Sequence, residues 1–333
     1  MFPLPPRMSR RTAFVGGVAA LVVAGLLAWW LVPLGEKAPS GSVKFSTGVT
    51  SGVYERYGYL LKEDLAKDLP NVSIGLLTSQ GSQENISRVA TGKADFTIAT
   101  ADAVAKYRRD NGPGADRLRG CARLYDDYVQ LIAAKSSGIK TARDLRGKRV
   151  GVGQEGSGVR LIADRLLTAA GLHPKKAVRS VSAGIDTMPG LLESGDLDAF
   201  FWSGGLPTAA VQQLSERFDI SLVPLDDALV DRLHDTAPVD TRYYRSAMMP
   251  ADAYKRAQDG TAVPTVAVAN LLVTTDRIDA DLTEGFTRTV IKSRDRIGKK
   301  VHPAQLVDLR TAIYTDPLQL HDGALHYYRS VKP

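Results

Sequence analysis

Residues 148–170 read KRVGVGQEGSGVRLIADRLLTAA, and this stretch contains the pattern that decides the fold class. The β-run from Lys148 to Val152 predicts a strand, and the glycines after it predict a tight turn. The apolar residues from Val159 onwards then recur at helical spacing. A strand, a glycine turn and a helix in this order are characteristic of βαβ folds, and the same order returns elsewhere in the chain.

Strands and amphipathic helices alternate from Ser42 to about Leu225, which predicts an α/β fold with a mostly parallel sheet. Strands are predicted at 43–46, 72–77, 96–99, 148–152, 178–181, 199–202 and 220–224. Two long apolar segments, near 125–135 and 263–274, predict extended connections between two lobes. Residues 226–260 show only weak periodicity. A chain of 333 residues is long enough for two domains of about 150 residues each.

The amino-terminal segment predicts a membrane anchor. Residues 13–34 are 22 consecutive uncharged residues, preceded by Arg7, Arg10 and Arg11. As a helix rising about 1.5 Å per residue they would span roughly 33 Å, enough to cross a bilayer. The positive-inside rule keeps residues 1–12 in the cytoplasm and exports the rest after a linker at 35–42. We expect a single-pass protein of the cell membrane; a cleaved signal peptide, leaving a secreted or periplasmic protein, is the alternative.

Charge and cysteine content argue against several classes of partner. Of the net charge of +7, +3 lies in residues 1–42, and the remaining basic residues are scattered among carboxylates. Nucleic-acid binding needs a concentrated basic stripe, so no nucleic-acid partner is expected. The single cysteine, Cys121, and five histidines provide no disulfide pair and no zinc-ligand spacing. We therefore expect neither a metal ion nor another cofactor.

Catalytic motifs are weak or missing in the sequence. Gly151, Gly153 and Gly156 have the spacing of a dinucleotide-binding fingerprint, but the next predicted strand ends without the carboxylate that would bind the ribose. Neither a GxxxxGK[ST] phosphate loop nor a GxSxG nucleophile elbow occurs. We expect a protein that is not an enzyme. An anchored extracellular enzyme with an Asp-based site is the alternative from another class.

Four turns rich in glycine and hydroxyl residues precede predicted helices, at 47–52, 79–82, 153–158 and 203–208. In an open α/β sheet the carboxyl ends of the strands face one crevice, so these turns would gather hydrogen-bond donors around a shared ligand. The helix dipoles and free N–H groups there favour a carboxylate or another anion. A single such turn has a structural explanation in helix capping, but four at comparable positions favour a binding cleft.

Longer motifs resemble one known family. The segments FSTGVTSGVY (45–54), DAFFWSGGLPT (198–208) and VPTVAVANLL (263–272) are similar to the TAXI group of solute receptors for tripartite ATP-independent periplasmic (TRAP) transporters. The resemblance runs in collinear order from about Val43 to Tyr328. It implies a two-lobed periplasmic-binding-protein fold of type II (Venus flytrap), a small carboxylated solute such as glutamate or another amino or organic acid, and no catalytic activity. We assign 43–130 plus 270–333 to lobe 1 and 131–269 to lobe 2.

The resemblance also implies where the ligand contacts lie. The candidate ligand-binding residues are Thr47, Gly48, Ser51, Gly52, Val53, Tyr54, Ser82, Asn85, Thr100, Asp102, Ser157, Gly158, Trp202, Gly205, Pro207 and Thr208. We expect a monomeric receptor, attached to the membrane by its amino-terminal helix, that passes a small anionic or zwitterionic solute to a TRAP permease subunit in the membrane. A receptor of the same fold that serves an ABC importer or a sensor kinase is the alternative.

Overall fold

The computed structural model describes residues 38–236 and 241–331, together with Val23. Apart from Val23, the predicted cytoplasmic segment and anchor at 1–34 lie outside the described residues, so the anchor stays a prediction. Within the described part of the chain, no helix combines the length and the apolar character that crossing a bilayer requires. Residues from Ser40 onwards form one compact unit, which is the subject of the description below.

Strands and helices alternate through this unit. The strands are β1 (Gly41–Ser46), β2 (Val72–Leu77), β3 (Phe96–Thr100), β4 (Leu118–Ala134), β5 (Arg149–Gly151), β6 (Arg179–Val181), β7 (Ala199–Gly204), β8 (Ile220–Val223), β9 (Tyr244–Met249) and β10 (Val263–Thr275). The helices are α1 (Val53–Asp68), α2 (Ser82–Ala90), α3 (Ala101–Arg109), α4 (Gly158–Ala169), α5 (Met188–Glu193), α6 (Ala209–Arg217), α7 (Asp227–Thr236), α8 (Lys255–Gln258), α9 (Ala280–Lys292), α10 (Arg294–Gly298), α11 (Leu309–Ala312) and α12 (Asp322–Val331).

The strands form one mixed sheet in the order β2-β1-β3-β10-β4-β7-β5-β6, with β8 also paired to β4 and β9 to β10. Strand β1 pairs in parallel with β2 and β3, and β5 pairs in parallel with β6 and β7, as the βαβ pattern predicts. All five pairings that involve β4 or β10 are antiparallel. The prediction of a mostly parallel sheet is therefore wrong at the centre, because two long strands connect two parallel halves there.

These two central strands are the extended segments that the sequence predicts. They pair with each other from Ala267 opposite Tyr128 to Thr275 opposite Leu118. The register shifts between Ala269 and Leu271, and such an irregularity bends a strand and increases its twist. The shift lies beside Asn270, whose side chain borders the site described below.

Buried side chains pack into three clusters. The largest contains residues between 129 and 268, and the other two combine residues from 43–125 with residues from the carboxyl-terminal part or from α4. In the second cluster the Phe96 and Phe286 rings stack with centroids 4.1 Å apart. Each fully buried large apolar side chain contributes roughly 1.5–3 kcal/mol. The lobe boundaries assigned from the sequence stay a prediction.

The sequence pattern missed α7 and β9, both within 226–260. Helix α7 buries only Leu229, Val230 and Leu233, so its apolar face is narrow. Strand β9 pairs with β10 alone, and its interior residues from Arg245 to Met248 are exposed or half-buried. An edge strand with this burial has no alternation of apolar and polar residues, which explains why periodicity did not find it.

Candidate functional site

One cavity lies where the turns before α1, α2 and α4 meet the end of β7. It contains about 620 Å³ of space free of protein atoms, part of it open to solvent. Its lining residues are Gly48, Val49, Gly52, Val53, Tyr54, Gln80, Gly81, Ser82, Thr100, Asp127, Gly153, Gln154, Ser157, Gly158, Val159, Ala183, Gly184, Trp202, Ser203 and Gly204. Residues from 48–127 and from 153–204 therefore line one common cavity.

Three helices begin at this cavity. The residues that precede α1, α2 and α4 are Gly52, Gly81 and Ser157, and all three line it. Gly52 and Gly81 have no side chain to bond the first N–H groups of their helices. In α2 the Glu84 N–H is already used by the Gly156 carbonyl, so the donors left for a ligand are those of the residues before it. Gly81 has φ of +124°, and a Cβ there would lie 3.5 Å from Ser157 Cα, so the second and third turns approach closely.

Hydroxyl groups lie beside these helix ends. Tyr54 Oη is 3.2 Å from Ser82 Oγ, and Tyr54 also donates to Asn270 Oδ1. The Thr100 N–H donates to Ser82 Oγ over 3.2 Å. Thr100 Oγ1 is buried and has no hydrogen-bond partner among the described residues. The cluster therefore offers a ligand both hydroxyl donors and hydroxyl acceptors.

Asp127, in the middle of β4, supplies the carboxylate of the lining. Its side chain is buried, and its Oδ1 atom has no hydrogen-bond partner among the described residues. Burial raises the pKa of Asp127 to about 7, and the charge of Asp102 raises it too, whereas the Asn270 amide and Ser203 hydroxyl lower it. Both neighbours lie close enough to Asp127 to affect its pKa, but among the described residues neither Asn270 Nδ2 nor Ser203 Oγ has a partner at ordinary hydrogen-bond geometry.

Direct contacts join the second turn to the third beside the cavity. Gln83 Nε2 donates to the Ser157 carbonyl over 2.7 Å, and the Glu84 N–H donates to the Gly156 carbonyl over 3.0 Å. A third contact joins two helices: Asp102 in α3 accepts from Arg165 in α4 over 3.2 Å. The structure thus shows an arrangement in which segments 79–102 and 153–165 touch.

Nine of the sixteen candidate residues line the cavity: Gly48, Gly52, Val53, Tyr54, Ser82, Thr100, Ser157, Gly158 and Trp202. The other seven lie outside the lining: Thr47, Ser51, Asn85, Asp102, Gly205, Pro207 and Thr208. Ser51 and Pro207 are exposed. No solute contact has been tested for either group, so the role of each residue in binding stays a prediction.

Three of the residues outside the lining hold the site together. The Asn85 side chain accepts from Ser46 Oγ and Ser79 Oγ, each over 2.7 Å, and donates to the carbonyls of Thr47 and Ile98. Thr47 Oγ1 bonds the Glu55 carboxylate and the Leu77 carbonyl. Asp102 Oδ2 accepts from Tyr244 Oη over 2.5 Å in addition to Arg165. All three are buried and connect neighbouring segments.

Gly205 and Thr208 belong to packing behind the cavity. A Cβ on Gly205 would lie 1.9 Å from Pro303 Cγ, so this position has room only for glycine. Thr208 Oγ1 accepts from Trp202 Nε1 over 3.1 Å, and the Thr208 N–H donates to Tyr254 Oη over 2.8 Å. Thr208 therefore fixes the Trp202 ring, which does line the cavity.

Sequence reasoning missed Asp127 as a lining residue; Ser203, Gln80 and Gln154 also line the cavity and lie within predicted turns, but they were not among the candidate residues. A signal for Asp127 was present, because two consecutive carboxylates, Asp126 and Asp127, interrupt an apolar strand. Such a strand buries acidic groups only at a cost, which makes them candidates for a functional site. The described residues contain no group of three or more His, Cys, Asp or Glu side chains positioned to hold a metal ion.

Comparison with solved structures defines the class of fold. The fold is similar to that of a putative L-cystine ABC transporter protein from Listeria monocytogenes, with 14% identity, 80% of this chain and 98% of that chain covered, and a TM-score of 0.51. A protein from Bordetella bronchiseptica RB50 has 17% identity over 90% of this chain and 92% of its own, with a TM-score of 0.51. The periplasmic aliphatic sulphonate binding protein SsuA from Escherichia coli has 15% identity, coverage of 89% and 84%, and a TM-score of 0.47.

The protein has the α/β periplasmic-binding-protein fold, which confirms the predicted fold class. The chain belongs to the NMT1-like family, whose model matches residues 45–331.

Proposed function

We propose that this chain is an extracytoplasmic solute-binding receptor that captures a small carboxylate-bearing solute in the cavity and delivers it to a membrane permease. The observation that carries the proposal is the meeting of three helix amino ends at one cavity, at Gly52, Gly81 and Ser157. Each helix end stabilises a nearby anion by about 0.3–1 kcal/mol, and by up to about 2 kcal/mol where the anion is partly buried. Three ends together favour an anionic group strongly.

Closure around the solute would follow from bending of β4 and β10. These strands run through the centre of the sheet, and the register shift near Asn270 provides a point where β10 bends. A solute stabilises the closed arrangement only by its differential affinity for that arrangement. Donors from segments 48–100 and 153–158 both face the cavity, so a solute that contacts both would provide this difference.

For the permease we propose a TRAP-type membrane subunit, because the motifs at 45–54, 198–208 and 263–272 resemble the TAXI receptors. An ABC importer is the second candidate, because a similar fold occurs in the putative L-cystine ABC transporter protein. Neighbouring genes distinguish the two: a gene for a large integral membrane subunit without an ATPase gene supports the TRAP permease, and an ATPase gene supports the importer.

We also propose that residues 13–34 attach the receptor to the cell membrane. Cell fractionation tests the attachment, and the mass of the mature chain shows whether the segment is retained.

The binding function is tested by thermal shift of the full-length chain against L-amino acids and organic acids. A solute that binds only the native state adds about 2.7 kcal/mol of stability at one hundred times its dissociation constant. Gly158→Ala should weaken the shift, because a Cβ there would lie 3.0 Å from Ser82 Oγ and 3.5 Å from Thr100 Oγ1, inside the cavity. Gly190→Ala, in α5 with nothing within 4 Å, is the matched control and should bind normally. If none of these compounds raises the unfolding temperature of the chain, the proposed function is wrong.

A further inference from the structure

The cavity carries an uneven distribution of charge. Among its lining residues, all of which lie in the described part of the chain, there is one carboxylate, Asp127, and no lysine, arginine or histidine. Three helix amino ends supply partial positive charge to the same cavity. A solute with a single negative group would therefore satisfy the helix ends and leave the carboxylate without a partner.

Three buried polar atoms around Asp127 lack hydrogen-bond partners among the described residues: Asp127 Oδ1, Ser203 Oγ and Asn270 Nδ2. Asp127 is only 4% exposed, and Asn270 is completely buried. Buried polar atoms are normally satisfied, and leaving one unsatisfied costs about 1–3 kcal/mol, more for a charged group. Asp127 and Ser203 line the cavity, whereas Asn270 does not, so a solute that reaches the first two would complete hydrogen bonds that the described residues leave open.

We propose that Asp127 and Ser203 receive an ammonium group of the solute, so that the receptor selects a zwitterion over the same acid without its amino group. The proposal rests on the proposed binding function and adds the part of the cavity that determines specificity. The ammonium donates to Asp127 Oδ1 and Ser203 Oγ, both of which accept hydrogen bonds. Asn270 Nδ2, held in place because its Oδ1 accepts from Tyr54, donates to the Asp127 carboxylate or to the solute.

Electrostatics explain why the amino acid should bind more tightly than the acid without the amino group. An ionised carboxylate in a buried site is unfavourable without a partner, and an ammonium group at hydrogen-bond distance compensates for it. A second carboxylate at the same place would be repelled. A protonated Asp127 could instead donate to a carboxylate of the solute, and this arrangement predicts the opposite dependence on pH.

The pH dependence of binding distinguishes an ionised Asp127 from a protonated one, provided that no neighbouring group titrates in the same range. Burial holds the pKa of Tyr54, on α1, and of Tyr125, on β4, well above the usual range, so both stay neutral. The Asp102 carboxylate, on α3, is paired with Arg165. Asn270 on β10 and Ser203 on β7 do not titrate. Among these described groups, Asp127 is therefore the one whose ionisation changes close to neutral pH.

The test uses calorimetric titration of the full-length chain with L-amino acids and with the matching acids in which hydrogen replaces the ammonium group. Examples are L-glutamate with glutarate and L-alanine with propionate. We expect the tightest amino acid to bind at least about 30-fold more tightly than its deaminated partner. Asp127→Asn should reduce amino-acid affinity by about 30-fold or more and leave the affinity for the deaminated acid unchanged or higher. Wild-type affinity for the amino acid should rise with pH through about 7, and the variant should lose this dependence.

Asp126→Asn is the matched control. Asp126 precedes Asp127 on the same strand, but its carboxylate is paired with Arg123 and Arg245 and does not line the cavity. Its substitution should change amino-acid affinity less than about threefold. If deaminated acids bind as tightly as amino acids, or if Asp127→Asn keeps full amino-acid affinity, this inference is wrong while the proposed function stands. If no acid of either kind binds, both are wrong.

Discussion

Asp127 lines the cavity, and burial of its carboxylate destabilises the folded chain when the group is ionised. Its pKa of about 7 in the folded chain lies above its ordinary value of 3.8. Below about pH 4 the group is protonated in both the folded and the unfolded state, so it has no effect on stability. Between about pH 4 and 7 only the unfolded state releases the proton, so the folded state loses stability as the pH rises. Above about pH 7 the loss is complete, at roughly 4 kcal/mol for a shift of this size.

We therefore expect Asp127→Asn to raise the free energy of unfolding of the ligand-free chain at pH 8, by up to roughly 4 kcal/mol, and to leave it unchanged near pH 4. Urea unfolding at the two pH values measures the difference. Asp126→Asn should lower stability at pH 8, because it leaves Arg123 and Arg245 without their carboxylate partner. A variant at Asp127 that is less stable than wild type at pH 8 would indicate a structural role instead.

At the scale of elements, the buried Asn85 side chain links α2 to the strands and turns around it. Asn85 bonds Ser46 Oγ at the end of β1, Ser79 Oγ in the second turn, and the carbonyls of Thr47 and Ile98. It therefore joins α2 to β1, to β3 and to the two turns that line the cavity. Its position outside the lining makes it a support for the site.

Asn85→Leu should lower the free energy of unfolding by at least about 2 kcal/mol, because several buried polar groups lose their partner at once. Weaker solute binding should accompany the loss, since Gly48 and Gly81 belong to the turns that Asn85 holds. Ser87→Ala, at a half-buried position on the same helix, is the control and should stay within about 0.5 kcal/mol. Chemical denaturation measures both variants, and equal stability of the two would contradict this role for Asn85.

Local periodicity was sufficient to predict most of these elements. The predicted strand at 72–77 coincides with β2, and the extended segment predicted near 125–135 overlaps the second half of β4, because a run of apolar residues is a local property of the sequence. The direction of β4 and β10 could not be predicted, since pairing depends on contacts distant in sequence. For the same reason the glycine turns identified the helix ends of the cavity but not Asp127, whose approach to Ser203 requires β4 and β7 to be adjacent.

At the scale of the whole molecule, the mixed sheet explains how two halves share one cavity. The parallel groups β1–β3 and β5–β7 each place glycine turns at the carboxyl ends of their strands, and β4 and β10 join the groups at the centre. The two largest hydrophobic cores take their buried members from different parts of the chain, 129–268 for one and 43–125 with 272–328 for the other, so most of their packing would survive if the halves moved apart. Opening would break the contacts of Gln83 with Ser157 and of Glu84 with Gly156.

A cysteine pair across this contact would report the motion. A Cβ on Gly156 would lie 3.7 Å from the Glu84 Cβ, within the usual range for a disulfide, and neither residue lines the cavity. Gly156 has φ of +81°, so the substitution carries some backbone strain.

In the double variant Glu84→Cys/Gly156→Cys we expect the disulfide to form faster when a bound solute holds the halves together, as non-reducing mass spectrometry would detect. Oxidation before solute is added should block binding, and reduction should restore it. Gly156→Cys alone is the control, since the native Cys121 is buried elsewhere. Cross-linking at a rate independent of solute would show that binding does not favour this closed contact.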